Sequence, residues 1–166
     1  MPIDWTEYHR FQEKDDYCGV AVIQSILAKA GIDKTQEEIA GDVFIPWWGV
    51  SRGILLAYLS LFFKTVNYRD NSRMGDVTPH LKKGHAVILN WWDSDEDGYG
   101  DGHYSILADY DSKERMLTLA DPSNERDGFW KIKYSEFKHK WWDTLTTDDK
   151  IWSTGWFLWV DLNSRR

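Results

Sequence analysis

The sequence contains one cysteine, Cys18, which lies where a polar, acidic stretch at residues 13–16 gives way to an apolar helical pattern. A thiol at the N-terminus of a helix lies near the positive end of the helix dipole and near backbone amides without partners, and both favour the thiolate. Gly19 allows close approach of a substrate carbonyl to the amide of Cys18. A lone cysteine is more often a buried structural residue, so a catalytic role also requires partners.

Three polar residues are candidate partners of Cys18. Gln12 lies six residues upstream, close enough for its side-chain amide to donate to an oxyanion beside Cys18. His103 begins one predicted strand, and Asp121 ends the next. If these strands form a hairpin, His103 and Asp121 lie close together and supply a base and a group that orients it.

Other residues compete for these roles. Four histidines occupy polar or turn-like surroundings, where we expect surface or capping positions: His9, His80, His85 and His139. Three alternatives to Asp121 as the orienting group are Asp109, Asp111 and Asn124. Asp109 and Asp111 belong to the strand of His103 or to its turn, so we favour Asp121.

These segments resemble the papain-like cysteine peptidases, specifically the bacteriocin-processing, double-glycine-leader peptidase family and its stand-alone relatives. The matching segments are residues 11–12, residues 16–19 with the apolar helix that follows, residues 102–107 and residues 120–123. The resemblance implies that Cys18 is the nucleophile, His103 the base and Asp121 its orienting group. It also implies that Gln12 forms part of the oxyanion hole.

The pair Trp91-Trp92 follows a short apolar run at residues 86–89. If the pair continues that strand, its two rings point to opposite faces of the sheet. One ring then belongs to the core, and the other is exposed near the loop that leads to His103. We therefore consider Trp91 and Trp92 as candidates for a substrate cleft, against the alternative that both are core residues.

The acidic segment before His103 follows part of a calcium-loop pattern. Asp93, Asp95 and Asp97 occupy positions one, three and five, Tyr99 would offer its carbonyl at position seven, and Asp101 stands at position nine. Position twelve is Tyr104, where the pattern has a glutamate that binds through both oxygens. The segment predicts a weak structural calcium site, with a solvated acidic loop as the alternative.

The hydrophobic patterns predict helices followed by strands. Helical spacing extends from Cys18 to Ala30, Thr35 with Glu38 forms a capping box for a second helix, and a third helix begins near Ser51. Thr78-Pro79 predicts the start of one more short helix before Gly84. The predicted strands are residues 86–89, 104–110, 116–120, 129–134 and 156–162. This order predicts an α+β, papain-like fold with N-terminal helices packed on a C-terminal antiparallel sheet.

Length and composition limit the function classes. The chain has 166 residues, 42% of them hydrophobic, which predicts a single domain over residues 1–166. A net charge of −7 argues against nucleic-acid binding. The N-terminus resembles no secretory signal, and no apolar run is long enough to span a bilayer, so we expect a cytoplasmic protein without membrane insertion.

These observations predict a cysteine peptidase that cleaves a peptide or isopeptide bond through a thioester on Cys18. We expect a peptide or protein substrate and chemistry without a cofactor, apart from the predicted calcium ion. One alternative is acyl or peptidyl transfer by the same triad. The other is a non-catalytic, calcium-responsive binding module with the same fold.

Overall fold

The computed structural model describes residues 1–95, 99–146, 148 and 150–166. Helices dominate the first half of the chain, where one short strand separates the last two of them. In chain order these elements are α1 (Cys18–Lys29), α2 (Gln36–Val43), α3 (Arg52–Leu59), β1 (Val66–Arg69) and α4 (Met74–Lys82). Strands and one short helix follow: β2 (Ala86–Ser94), β3 (Gly100–Asp111), β4 (Met116–Ala120), β5 (Phe129–Lys133), α5 (Tyr134–Phe137), β6 (Trp142–Thr144), β7 (Trp152–Thr154) and β8 (Phe157–Val160). This order agrees with the predicted α+β class.

A six-stranded antiparallel sheet forms the centre of the molecule, with strand order β1-β8-β2-β3-β4-β5. Strands β6 and β7 form a separate hairpin. Alternate residues of β2 belong to two different apolar clusters, because successive side chains of a strand point to opposite faces. Ala86 and Ile88 pack with α1, α2 and α3, whereas Val87, Leu89 and Trp91 pack with α4 and α5. The sheet is therefore covered by helices on both faces.

Local sequence signals account for the helix starts. The hydroxyl of Thr35 accepts a hydrogen bond from the amide of Glu38, and the carboxylate of Glu38 accepts one from the amide of Thr35, which confirms the predicted capping box. Ser51 caps α3 in the same manner through the amide of Ile54. Each cap satisfies an amide that has no partner within its helix.

The fourth helix begins earlier than predicted. It starts at Met74, so that Pro79 lies within it and not at its first position. The carboxylate of Asp76 accepts a hydrogen bond from the amide of Arg73 and fixes the start of the helix there. The prediction from Thr78-Pro79 was wrong because proline marks a compatible first position but does not require one.

The prediction missed β1 and the β6–β7 hairpin, and it shortened β2 and β3. Strand β1 has one buried residue and three exposed ones, a pattern without strict alternation. Strands β2 and β3 extend past the predicted ends through the pairs Trp92–Gly102, Asp93–Asp101 and Ser94–Gly100. The described residues 93–94 and 100–103 of the acidic segment thus belong to paired strands of a β-hairpin. Within the described part of the chain, no helix combines the length and the apolar character needed to cross a lipid bilayer.

Candidate active site

Cys18 is the first residue of α1, and its side chain is partly exposed. Glycine at position 19 lets this end of the helix pack closely on its neighbours. A Cβ atom at this position would lie 2.8 Å from Cβ of Val50 and 3.3 Å from the Tyr104 ring. The hydroxyl of Tyr104 donates to the carbonyl of Val50 at 2.8 Å. Gly19 thus permits close packing of α1 on β3, which brings Cys18 towards the strand that carries His103.

His103 and Asp121 are joined across the β3–β4 hairpin. The distance from Nε2 of His103 to Oδ1 of Asp121 is 2.7 Å, and the two residues are 8% and 0% exposed. Burial opposes protonation of His103. Hydrogen bonds to Asp121 and Cys18, together with the charges of these two groups, outweigh burial and raise the pKa of His103 to about 10. The structure therefore brings Cys18, His103 and Asp121 together, with the imidazole between the thiol and the carboxylate.

The carboxylate of Asp121 accepts further hydrogen bonds from residues that the sequence did not single out. The donors are the Ser123 amide (2.9 Å), the Trp130 indole (2.8 Å), the Arg126 guanidinium (3.2 Å) and the Ser105 hydroxyl (3.3 Å). Burial acts to raise the pKa of Asp121, but His103, the Ser123 amide and Arg126 outweigh it and hold that pKa below its ordinary value. Asp121 is thereby ionised and fixed in orientation.

Sequence reasoning had little signal for Trp130 and Arg126, since they reach Asp121 through sheet pairing and a loop. Trp130 arrives from β5, which pairs with β4. Arg126 lies in the loop that begins at Asp121 and is closed by a 2.6 Å bond from the amide of Asp121 to the carbonyl of Gly128.

Gln12 lines the same cleft as Cys18 and lies on an N-terminal segment that is tied to the loop after Asp121. Its amide N–H donates to the carbonyl of Pro122 at 2.8 Å, and its carbonyl accepts from the side chain of Asn124 at 2.8 Å. One N–H of its side-chain amide donates to the carbonyl of Lys14 at 3.1 Å. The side-chain amide has a second N–H, which could serve an oxyanion. Asn124, an alternative to Asp121, thus binds Gln12 and not His103.

Gln36, fully buried at the start of α2, holds the same segment from the other side. Its side chain donates to the carbonyl of Phe11 at 2.7 Å and accepts from the amide of Glu13 at 3.0 Å. Gln12 is therefore placed by neighbours on both sides. In the sequence, Gln36 is one polar residue at the start of a short helix, and nothing there indicated that it would hold the segment of Gln12.

A cleft of about 1100 Å³ lies over Cys18 and His103. Its walls include aromatic residues, carboxylates and one arginine: Trp47, Trp48, Trp92, Asp16, Asp93, Asp101, Glu125, Asp143 and Arg52. Trp92 lines the cleft and stacks on Trp142, with ring centroids 4.6 Å apart. Trp91 is 1% exposed and meets the His103 ring edge-on at 5.3 Å. The expectation of a cleft position is wrong for Trp91, because its side of β2 is covered by α4 and α5.

A polar network supports the strand of His103 from the cleft side. Asn90, which is buried, donates to the carbonyl of His103 at 3.2 Å and to the carboxylate of Asp143 at 2.8 Å. Nε of Arg52 donates to Oδ1 of Asn90 at 2.6 Å. Burial raises the pKa of Asp143, despite the hydrogen bond from Asn90. The network fixes the backbone at His103 and places one carboxylate at the cleft wall.

Four of the predicted calcium ligands, Asp93, Asp95, Tyr99 and Asp101, are described and lie along or next to the paired ends of β2 and β3. Asp93 forms an ion pair with Arg126 at 2.6 Å. The carbonyl of Tyr99 accepts the amide of Asp95, and a carboxylate oxygen of Asp95 accepts the amide of Tyr99. Asp101 accepts the amide of Gly102. Asp97 lies outside the described residues, and the described residues contain no group of three metal-binding side chains. The calcium site stays a prediction.

The contacts of His9, His80 and His85 are with residues other than Cys18. His9 contacts the backbone carbonyl of Asp121 through Nε2 and packs on Phe11 and Phe129. His80 and His85 contact each other at 3.1 Å, near Trp159. Burial, then the charge of His85, lowers the pKa of His80 to about 4. His9 thus supports the segment of Asp121 from its backbone side.

Comparisons with known proteins agree with this geometry. Residues 6–148 match the model of the "Peptidase C39 like" family. The fold is similar to the peptidase domain of Streptococcus ComA, a bifunctional ABC transporter involved in quorum sensing: TM-score 0.65, 15% identity, 91% of this chain and 96% of that one. It is also similar to a C39-like peptidase from Bacillus anthracis: TM-score 0.65, 14% identity, 97% of this chain and 98% of that one.

A third similar structure is a double-glycine-motif protease from an AMS/PCAT transporter, solved in complex with the leader peptide. Its TM-score is 0.58 at 18% identity, over 90% of this chain and 88% of that one. No curated protein matches this chain in sequence. The structural similarities confirm the predicted papain-like α+β fold.

Proposed function

Since the chain belongs to the peptidase C39-like family, we propose that it is a cysteine peptidase that cleaves a peptide or isopeptide bond through a thioester on Cys18. The observation that carries the proposal is the contact of His103 with both Cys18 and Asp121 at the base of the cleft. A nucleophile, a base and a buried carboxylate that orients the base form the triad of covalent acyl-transfer enzymes.

The thiolate of Cys18 attacks the carbonyl carbon, and the carbonyl oxygen becomes an oxyanion. The backbone amide of Cys18 and the free N–H of Gln12 donate to this oxyanion, since the first amides of a helix have no partner within it. His103 then gives its proton to the leaving amine, and the C–N bond breaks to leave the thioester.

In the second half of the reaction, neutral His103 takes a proton from a water molecule. The resulting hydroxide attacks the thioester, the C–S bond breaks, and Cys18 leaves as a thiolate beside protonated His103. Asp121 stays ionised and keeps the imidazole in orientation throughout. Trp92, stacked on Trp142 at the cleft wall, offers an apolar surface to the peptide.

Labelling and cleavage together test the proposal. We expect iodoacetamide to modify Cys18 at neutral pH faster than it modifies a free cysteine, and His103→Ala to remove that advantage. We expect the protein to cleave members of a peptide library that includes Gly-Gly sequences, and Cys18→Ala to abolish cleavage. The proposed peptidase function is rejected if Cys18 is labelled at the rate of free cysteine, if His103→Ala leaves that rate unchanged, and if no peptide is cleaved.

A further inference from the structure

Arg126 connects the buried carboxylate of Asp121 to the β2–β3 hairpin. Its Nη1 lies 3.2 Å from Oδ2 of Asp121, and its Nη2 lies 2.6 Å from Oδ1 of Asp93. The guanidinium lies over the rings of Trp130 and Trp91, at 4.9 and 5.4 Å from their centroids. The side chain is 21% exposed. Two carboxylates and two indole rings thus fix one arginine behind the triad.

We propose that Arg126 is a positioning residue that holds Asp121 in place and balances its charge while His103 is neutral. The proposal rests on the proposed peptidase function and adds a residue to its site. Among the residues that the structure describes, His103 and Arg126 are the cationic side chains within ion-pair distance of Asp121.

The argument follows from the charges during the reaction. Asp121 is 0% exposed, and a buried carboxylate without a cationic partner is costly. When His103 gives its proton to the leaving amine, it loses its positive charge. Arg126 keeps its charge at that point, because a guanidinium does not release its proton in proteins. Asp121 then retains a partner and does not need to take a proton itself.

The remaining contacts of Asp121 cannot replace this charge. The Ser105 hydroxyl, the Ser123 amide and the Trp130 indole are neutral donors. They satisfy the lone pairs of the carboxylate and set its direction, but they do not neutralise it. The two functions, orientation and charge balance, are therefore divided between neutral donors and Arg126.

Arginine suits this position better than lysine. Its planar fork reaches Asp121 and Asp93 through different nitrogen atoms, and its face stacks on aromatic rings. A lysine would keep the charge but lose the second contact and the stacking. A comparison of Arg126→Lys with Arg126→Gln therefore separates the effect of the charge from the effect of the geometry.

The test compares Arg126→Gln and Arg126→Lys with a surface control, Arg69→Gln. Arg69 pairs with Asp76 at 3.0 Å, and its side chain is 57% exposed, so this control removes one arginine–aspartate pair far from the triad. The substrate is the peptide that the wild-type protein cleaves fastest in the library. The measurements are kcat, KM, the rate of iodoacetamide labelling of Cys18 and the melting temperature.

We expect Arg126→Gln to lower kcat by on the order of tenfold to a hundredfold, because Asp121 and the imidazole lose their fixed geometry. KM should stay within about twofold of its wild-type value, since Arg126 is not among the described residues that line the cleft. Arg126→Lys should recover part of the loss in kcat, and Arg69→Gln should behave as wild type.

The proposal is overturned if Arg126→Gln keeps the wild-type kcat, if its loss lies in KM, or if Arg126→Lys recovers nothing. If Arg126→Gln does not fold, Asp93→Asn decides, because it releases the second anchor of Arg126 without touching Asp121. A wild-type kcat in Asp93→Asn then rejects the proposal, and a fall in kcat supports it, whatever the change in KM at this cleft residue. A wild-type protein that neither cleaves peptides nor labels faster than free cysteine rejects the peptidase function itself, which distinguishes the two failures.

Discussion

Contacts with two residues, Asp121 and Cys18, decide whether His103 is protonated. His103 is 8% exposed, a position that would normally favour the neutral imidazole. The carboxylate of Asp121 on one side and the thiol of Cys18 on the other reverse that preference and raise the pKa of His103 to about 10. The reactive form of the site is therefore a protonated imidazole beside Cys18 at neutral pH.

This shift predicts a pH dependence of stability. The pKa of His103 is raised from 6.5 to about 10 on folding. Its contribution to the free energy of unfolding is thus complete below about pH 6.5 and is lost as the pH rises towards about 10. Denaturant titrations should show the stability difference between wild type and His103→Ala shrinking over this range. The control variant is His139→Ala, which removes an exposed histidine, and a pH-independent difference for His103→Ala contradicts the prediction.

The position of Gln12 predicts that its replacement lowers the turnover rate and leaves the fold intact. Its amide lies in the cleft with Cys18, and one N–H remains after the bond to Lys14. Removing one oxyanion-hole donor lowers turnover by on the order of a hundredfold or more. We expect this fall in kcat for Gln12→Ala, with a melting temperature near that of wild type. Buried Gln36 provides the contrast, because Gln36→Ala should lower the melting temperature; an unchanged kcat in Gln12→Ala would make Gln12 a structural residue.

At the scale of elements, local signals predicted the parts of the site that lie on regular structure. The apolar spacing of α1 placed Cys18 at a helix start, and the β3–β4 hairpin placed His103 near Asp121. The parts that depend on tertiary pairing had no comparable signal. Arg126 lies in a loop that is closed by the hydrogen bond from Asp121 to Gly128, and Trp91 is a core residue because α4 and α5 cover its face.

The contact between α1 and β3 predicts the effect of a methyl group at Gly19. A Cβ atom there would lie 2.8 Å from Val50, just before α3, and 3.3 Å from the Tyr104 ring in β3, so the helix start must move away from both. Overpacking of this kind costs about 1–3 kcal/mol in stability. We expect Gly19→Ala to unfold at lower denaturant and to lower kcat, since Cys18 moves with the helix. Gly41→Ala is the matched control: it lies in α2 with no neighbour within 4 Å, and it should be neutral or stabilising by about 0.5–1 kcal/mol. Equal stability of the two variants would contradict the prediction.

The β2–β3 hairpin carries the calcium prediction. Its carboxylates repel one another, and burial raises the pKa of Asp101. We expect calcium, more than magnesium, to raise the melting temperature, and Asp95→Ala to remove this effect. Asp93 would have to share its carboxylate with Arg126, which favours weak binding. Calorimetric titration without calcium binding at millimolar concentration would leave the hairpin as a charged rim of the cleft.

At the scale of the whole molecule, the net charge of −7 is concentrated in part around the cleft. Five carboxylates line it, on Asp16, Asp93, Asp101, Glu125 and Asp143, against the single arginine Arg52 among the described lining residues. Arg52 is bound by Asn90 and Ser153, and Asp93 is bound by Arg126. The charge that the cleft presents to a substrate is therefore negative, and clefts of one sign attract ligands of the other.

This charge predicts a preference for cationic peptides. Peptides that carry lysine near the scissile bond should show a lower KM than otherwise identical peptides with glutamate, and added salt should reduce the difference through screening. Asp16→Asn tests whether the cleft carboxylates cause this preference. Asparagine also tolerates the φ of +62° at this position, so the substitution removes the charge and keeps the backbone. We expect Asp16→Asn to raise KM for the lysine peptide and to lower it for the glutamate peptide. Asp33→Asn, which makes the same change in net charge at an exposed position outside the cleft, should alter neither value. Equal KM values for the two peptides with the wild-type protein at low salt would show that steric fit, and not charge, governs entry to the cleft.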